Sequence, residues 1–431
     1  MYGQIGIVAA YGLLLLVCSF LLRFLDGKNN QDILKAGLFS GLALMFSAHF
    51  VFFLVPVYLV FIIGLVAKRG EYKWKPLIGY LLLSLVLLLA INANWLASYV
   101  RGDSANSQYV AQGISQQDLK AFQTVGKNGL EAYKNVIMMS GFWGKEQRRY
   151  IDLSKVEEGW GRSFFILLPI IIYGVYLGLK RDNLRVLTLS LVSVYLVALV
   201  LAVGIASPTT GPISEWLFAH LPFYKGLREP QKWVSVLIMV YLIFLSIGID
   251  ALFKKKLLLD NKKVAGLFLV GVMIMQAPFM LWGLKGQVRP VEYPSDWAKA
   301  DKFIKAQSFK TYGAECGKNI LFLPWHLYMS FEWIGNVVAN PAPVYFTCPV
   351  ISGTNMETRN IYDNSPDQRG RAIGEWVLAS GDGGEKILDE YEIGYIVLAK
   401  EVDWGKYTWL EKLPNWKLVV DSKTLRVYER R

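Results

Sequence analysis

The stretch PFYKGLREPQKW, residues 222–233, sets Lys225, Arg228 and Lys232 directly ahead of the apolar run VSVLIMVYLIFLSIGI. An arginine fork grips a carboxylate or phosphate through two hydrogen bonds, and a lysine adds a point charge. Pro230 suits the first turn of a helix, where its missing N–H costs nothing. The amides that follow, of Gln231, Lys232 and Trp233, then lack intrahelical partners and offer a seat for an anion. Glu229 falls at about the N-cap, where its carboxylate can cap those amides, orient Arg228 or take a proton from a hydroxyl. The chemistry is phosphate binding at a membrane surface. A second reading stays open, in which Lys225, Arg228, Lys232 and Trp233 anchor a span by snorkelling and interfacial ring packing.

Other candidates are scattered. His49 stands at a turn between two apolar stretches, and NANWL carries Asn92, Asn94 and Trp95 at the end of another, with Asp103 as the next acidic group. The segment 118–144 shows patches of helical spacing in Leu119, Phe122, Val125, Leu130, Tyr133, Val136 and Ile137. It ends in MMSGFWG, where Phe142 and Trp143 suit a headgroup layer. A helix along the membrane surface, or packing against the spans, would each explain it. His49, His220 and His326 stand far apart without paired ligands, so no zinc site is expected. Glu390 and Glu392, two apart, would point away from each other on a helix. The Gly-rich SGDGGEK lacks the Lys-Ser/Thr of a phosphate-binding loop and reads as a turn.

The elements that must position these residues are membrane spans. The 431 residues are 54% hydrophobic and 19% charged, with mean hydropathy +0.33. A helix crosses a bilayer with roughly 20 apolar residues, and by that rule about eight spans are expected. They lie near 5–25, 34–49, 50–67, 76–96, 163–180, 186–206, 233–253 and 264–284. Every second connection is short and basic: Arg23, Lys28 and Lys35, then AKRGEYKWK, LKRDNLR and FKKKLLLDNKK. Positive-inside bias puts those connections in the cytoplasm, and 97–162, 207–232 and everything after 285 outside. These loops also account for much of the net charge of +12, and no interleaved basic and aromatic motif points to nucleic acid.

The same orientation leaves Met1 outside, and the first span, with only MYGQIG before it, has no basic n-region and no small-residue cleavage site, so it is not a signal peptide. The expectation is a chain lacking an N-terminal part with at least one earlier span, or else a protein whose N-terminus lies outside.

Residues 285–431 read as a separate α/β domain. NILFLP, PVYFT, GYIVLAK, WKLVVD and TLRVYE are short β-rich runs, the last two forming a hairpin, while GRAIGEWVLAS, GEKILDEYE and WLEKL have helical spacing. Cys316 precedes the first strand and Cys348 follows the second. If those strands pair antiparallel, the thiols meet, and an oxidising compartment would allow a disulfide. Cys18, inside a span, reads as a small apolar residue. The fold class is thus an α-helical polytopic membrane protein with a C-terminal extracytoplasmic α/β domain.

This layout, with one outer loop ending in SGFWG and another in LPFYKGLREPQKW, resembles the polytopic glycosyltransferases of the GT-C superfamily. The likeness covers roughly residues 30–283 and is nearest to arabinofuranosyltransferase-like and mannosyltransferase-like members. It implies transfer of a sugar from a polyprenyl-phosphate donor to a glycan, lipid or protein acceptor at the outer face of a prokaryotic plasma membrane, by single displacement with a carboxylate as base. A divalent metal is implied by the resemblance alone; no cofactor is read from the residues. One departure matters. The superfamily's acidic motif lies in the first outer loop, and no D-x-D or E-x-D pair stands in the outer loops between these spans. The alternative is a non-catalytic membrane protein, a transporter or scaffold in envelope polysaccharide assembly. A transporter would show broken or charged helices near mid-bilayer, and these spans show little of either.

Overall fold

The computed structural model describes residues 5–101, 114–145, 160–221, 224–254, 266–267, 270–271, 274, 290–335, 337–355, 357–358, 361–362, 368–382 and 386–431. They fall into two compact units, one within 1–287 and the other within 288–431.

The first unit is helical. Its long helices are α1 (Ile5–Gly27), α2 (Asn30–Phe46), α3 (Phe50–Ala67) and α4 (Trp74–Ile91), followed by the short α5 (Ala93–Arg101). Two short helices, α6 (Gln116–Ala121) and α7 (Gly129–Ile137), precede α8 (Trp160–Lys180), α9 (Asp182–Val203), α10 (Gly211–His220) and α11 (Val234–Lys254). Among the described residues, five helices are long and apolar enough to cross a membrane. These are α1, α3 and α4 together with the stretches Asp182–Ala206 and Pro230–Lys254. The apolar part of α8, Phe164–Lys180, is shorter, as is α2 with 17 residues. The expected eighth span, 264–284, lies largely outside the described residues. The outward faces confirm the solvent: Val55, Leu59, Ile62, Leu82, Val86, Ile172, Leu196 and Val197 are each more than half exposed. Apolar surface on that scale is rare against water and ordinary against hydrocarbon.

With lipid outside, helices gain by close backbone approach rather than by hiding apolar side chains. Small residues supply it here. A Cβ built on Gly174 of α8 would fall 1.9 Å from the Phe244 carbonyl oxygen of α11, and one on Gly248 of α11 would fall 2.3 Å from that of Ile170. Gly37 of α2 faces Ser84 of α4, whose Oγ donates to the Ile33 carbonyl at 2.9 Å. Asn92 is fully buried, donating to the carbonyls of Gly41 and Leu88, both at 2.9 Å, and accepting from the Trp95 indole at 2.7 Å.

The segment 118–144 does not form one surface helix. It folds as α6 and α7, joined through residues 122–128, and Leu119, Ala132 and Val136 enter the same buried core as the spans. Packing accounts for most of its apolar spacing, whereas Leu130 is 81% exposed.

The second unit holds a five-stranded sheet of β1 (Asn319–Leu323), β4 (Val350–Ile351), β7 (Ile393–Ala399), β8 (Trp416–Asp421) and β9 (Leu425–Arg430), in the order β4-β1-β7-β9-β8. Two small ribbons lie apart, β2 (Tyr328–Ser330) with β3 (Val337–Ala339), and β5 (Glu357–Thr358) with β6 (Ile361–Tyr362). β1 runs parallel to β4 and β7, whereas β7, β9 and β8 are antiparallel. Every residue of β7 is buried, as a strand covered on both faces requires. One face packs on Trp297 and Ile304 of α12 (Ser295–Tyr312), the other on Ile373 and Trp376 of α14 (Gln368–Leu378) and Leu388 of α15 (Lys386–Glu390).

The run PVYFT is not a strand. Ala342–Tyr345 forms a helical turn, α13, that begins just after Pro341, and the strand follows as β4. Cys316 and Cys348 are joined as a disulfide with Cα atoms 5.1 Å apart. The geometry differs from an antiparallel pair: each cysteine precedes one of two parallel strands, so both lie at the amino end of the sheet.

The α8–α11 crossing yields a direct expectation. Gly174→Val forces the helices apart and costs about 1–3 kcal/mol, the usual range for overpacking. Thermal unfolding in detergent should show a lower midpoint, while Gly79→Val, at a glycine with open space around it, should leave it nearly unchanged.

Candidate functional site

The residues of 222–233 gather at the end of the helical unit where α9 stops and α11 starts. α9 ends at Gly204, whose φ of +59° is left-handed, and a Cβ there would sit 3.1 Å from the Pro230 ring. The positive φ favours glycine, and a Cβ would press on the proline ring. Pro230–Trp233 forms a tight 3-10 turn leading into α11. The Trp233 ring packs edge-on to Phe53 of α3, with centroids 5.2 Å apart.

Two ion pairs organise this end. Arg228 Nη1 lies 3.2 Å from Asp118 Oδ1, the two side chains being 13% and 3% exposed. The other Asp118 oxygen accepts from the Ser115 N–H at 2.7 Å and the Ser115 hydroxyl at 3.1 Å. The guanidinium lies 4.7 Å from the centroid of the Phe122 ring, which meets Trp143 edge-on at 4.7 Å. Next to Arg228, Glu229 pairs with Lys232 at 3.6 Å. Gln231 extends the network, donating from Nε2 to the Phe122 carbonyl at 3.3 Å and to the Thr124 hydroxyl at 3.0 Å.

His49 joins from the α2–α3 turn. Its Nε2 lies 2.9 Å from the Gly226 carbonyl oxygen, and its Nδ1 lies 3.3 Å from Ser47 Oγ. A carbonyl only accepts, so Nε2 carries the proton and Nδ1 accepts from the serine. Lys232 Nζ stands 3.4 Å from the same Nε2. Burial, then the Lys232 charge, push the imidazole pKa down to about 4, and the ring is neutral at pH 7.

The structure thus brings together Arg228, Glu229, Gln231, Lys232, His49 and Trp143, and with them Lys225, whose carbonyl accepts the Arg228 N–H at 3.1 Å. Several expected roles change. Pro230 opens a 3-10 turn rather than the α-helix itself, and the Lys232 amide donates to the Glu229 carbonyl at 3.1 Å, so it is not open to an anion. Glu229 occupies the N-cap position without capping through its side chain. Arg228 turns Nη1 to a single Asp118 oxygen. Asn94 is exposed on α5, while Asn92 is the buried amide. Asp103 lies outside the described residues. Among the described residues, no group of three or more His, Cys, Asp or Glu is placed to hold a metal.

Sequence reasoning passed over Asp118. Its signal is the spacing Ser115-x-x-Asp118 ahead of Leu119 and Phe122, a capping box, which the structure contains.

No family model and no curated protein matches the sequence. Among solved structures, the chain is similar to the arabinofuranosyltransferase AftD from mycobacteria, with TM-score 0.52 and 14% identity. The match covers 98% of this chain and 29% of that one, so the chain spans under a third of its neighbour's length. At this identity the likeness is one of fold: a multi-pass helical membrane architecture with a C-terminal sheet domain.

Asp118→Ala leaves the Arg228 charge buried beside an aromatic ring without its carboxylate, and should cost about 3–5 kcal/mol. Denaturation in detergent reads this, and the double variant Asp118→Leu, Arg228→Met should recover most of the loss. His49 gives a pH signature. Unfolded histidine binds its proton near pH 6.5 and this one only near pH 4, so the unfolded chain takes up the proton first. Stability should therefore fall as pH drops from about 6.5 toward 4. A His49→Gln variant should show a flatter stability profile across that window.

Proposed function

We propose that this chain is part of a GT-C-type membrane glycosyltransferase that moves a sugar from a polyprenyl-phosphate donor to a cell-envelope acceptor. The acceptor hydroxyl attacks the anomeric carbon, and the bond from that carbon to the phosphate oxygen breaks. The phosphate departs with the electron pair, and a carboxylate takes the hydroxyl proton. The reading places this at the outer face of a plasma membrane, with the second unit outside, where the Cys316–Cys348 disulfide would persist.

The observation that carries the proposal is the cationic cluster at one end of a helical unit with a transferase-like fold. Lys232 and Lys225 are the groups proposed to meet the donor phosphate. Arg228, tied to Asp118, positions them rather than gripping phosphate as its main task. Glu229 lies 3.6 Å from Lys232 and can orient it or receive a proton.

The test is binding of a short polyprenyl phosphate to the chain in nanodiscs. Lys232→Ala should weaken it about tenfold, the scale of one hydrogen bond to a charged group, and Lys232→Arg should restore most of it. Unchanged affinity in Lys232→Ala, with the fold intact by circular dichroism, removes the proposed phosphate seat.

A further inference from the structure

The helical unit has a second polar region, at its other end. α9 reaches Pro230 with its last residues, so its first residue, Asp182, marks the end far from Lys232. There, between α1, α3, α9 and α11, lies a cavity of about 1210 Å³, larger than the roughly 300–1,000 Å³ of ordinary small-molecule pockets. Its walls are apolar, with Leu15, Leu22, Leu187 and Ile243 among them. It continues toward the middle of the helices as an uncharged recess floored by Cys18 and Met239, whose sulfurs lie 3.0 Å apart.

The mouth is charged. Asp26, Lys68, Glu71 and Asp182 line it, and they come from the last turn of α1, the end of α3 and the first turn of α9, a single level of the unit. Glu71 is answered by Lys28 at 2.8 Å. Lys68 donates to the Leu25 carbonyl at 3.1 Å and shares Glu71, already paired with Lys28, as its nearby carboxylate, so part of its charge stays at the mouth. Asp26 and Asp182 have no ion-pair partner among the described residues. An occupant therefore needs a long apolar part and a head bearing both signs, an anion for Lys68 and a cation for the two aspartates.

We infer that this cavity holds one zwitterionic phospholipid with a primary ammonium head, of the phosphatidylethanolamine type. Its chains run along Leu22 and Leu187, its phosphate meets Lys68, and its ammonium meets Asp26 and Asp182. An anionic phospholipid supplies the phosphate but meets two carboxylates with nothing to offer them. The site is independent of the donor site proposed at Lys232.

The experiment is native mass spectrometry of the full chain with equal amounts of phosphatidylethanolamine and phosphatidylglycerol of identical acyl chains. The expected result is one lipid retained, with about a five-fold preference for phosphatidylethanolamine, the scale one ion pair supplies. The double variant Asp26→Asn, Asp182→Asn should still retain a lipid but lose the preference. Leu187→Trp, which narrows the apolar path of the chains, should weaken retention of both, with circular dichroism showing each variant folded. Equal retention of the two lipids, a preference for phosphatidylglycerol, or adducts unaffected by Leu187→Trp overturns the inference. Retention of neither lipid also overturns it, in favour of a cavity filled by protein.

Discussion

A carboxylate buried to 3% exposure needs a counter-charge and donors, and Asp118 obtains both. Arg228 supplies the charge, and Ser115 supplies two hydrogen bonds. Because Asp118 sits in a short helix of the 114–145 segment and Arg228 just ahead of α11, this pair joins a long connection to the start of a span. The neighbouring contacts follow from that junction. Phe122 comes under the guanidinium, Trp143 packs against Phe122, and Gln231 reaches the backbone of the same segment. A buried ion pair of this sort adds modest net stability, since desolvation offsets much of its attraction. What it supplies is a fixed geometry for the basic residues beside it.

Those residues are the ones left for chemistry. With Arg228 held by a carboxylate, the proposed phosphate contact moves to Lys232, which faces a neutral imidazole and a more distant carboxylate. His49 stays uncharged through burial and the nearby ammonium, so it adds no charge beside Lys232. The two ends of the helical unit then differ in kind. One pairs its charges internally around α6 and the Pro230 turn. The other leaves Asp26 and Asp182 open at the mouth of an apolar cavity.

Much of the architecture was readable from pattern. Apolar runs placed the helices because a bilayer demands about 20 such residues in one continuous backbone-satisfied segment. The turn at Ser47–His49 and the final hairpin followed from breaks in those runs and from alternation. PVYFT shows the limit. Four β-prone residues, Val344 to Thr347, follow two prolines, yet Ala342–Tyr345 became a helical turn, because local preference yields to the packing around Phe346 and Cys348.

The sequence by itself determined which side chains were available: three basic groups and a proline before an apolar run, and two cysteines flanking the first two strand-like runs. It determined these because span length, charge bias and turn chemistry are local properties of the chain. Only the tertiary structure decided what each group faces. Asp118 lies 110 residues from Arg228, and His49 lies 183 from Lys232, so no spacing rule connects them. Their pairing turned an exposed anion fork into a buried brace, because a charge removed from water takes whichever partner the fold brings within reach.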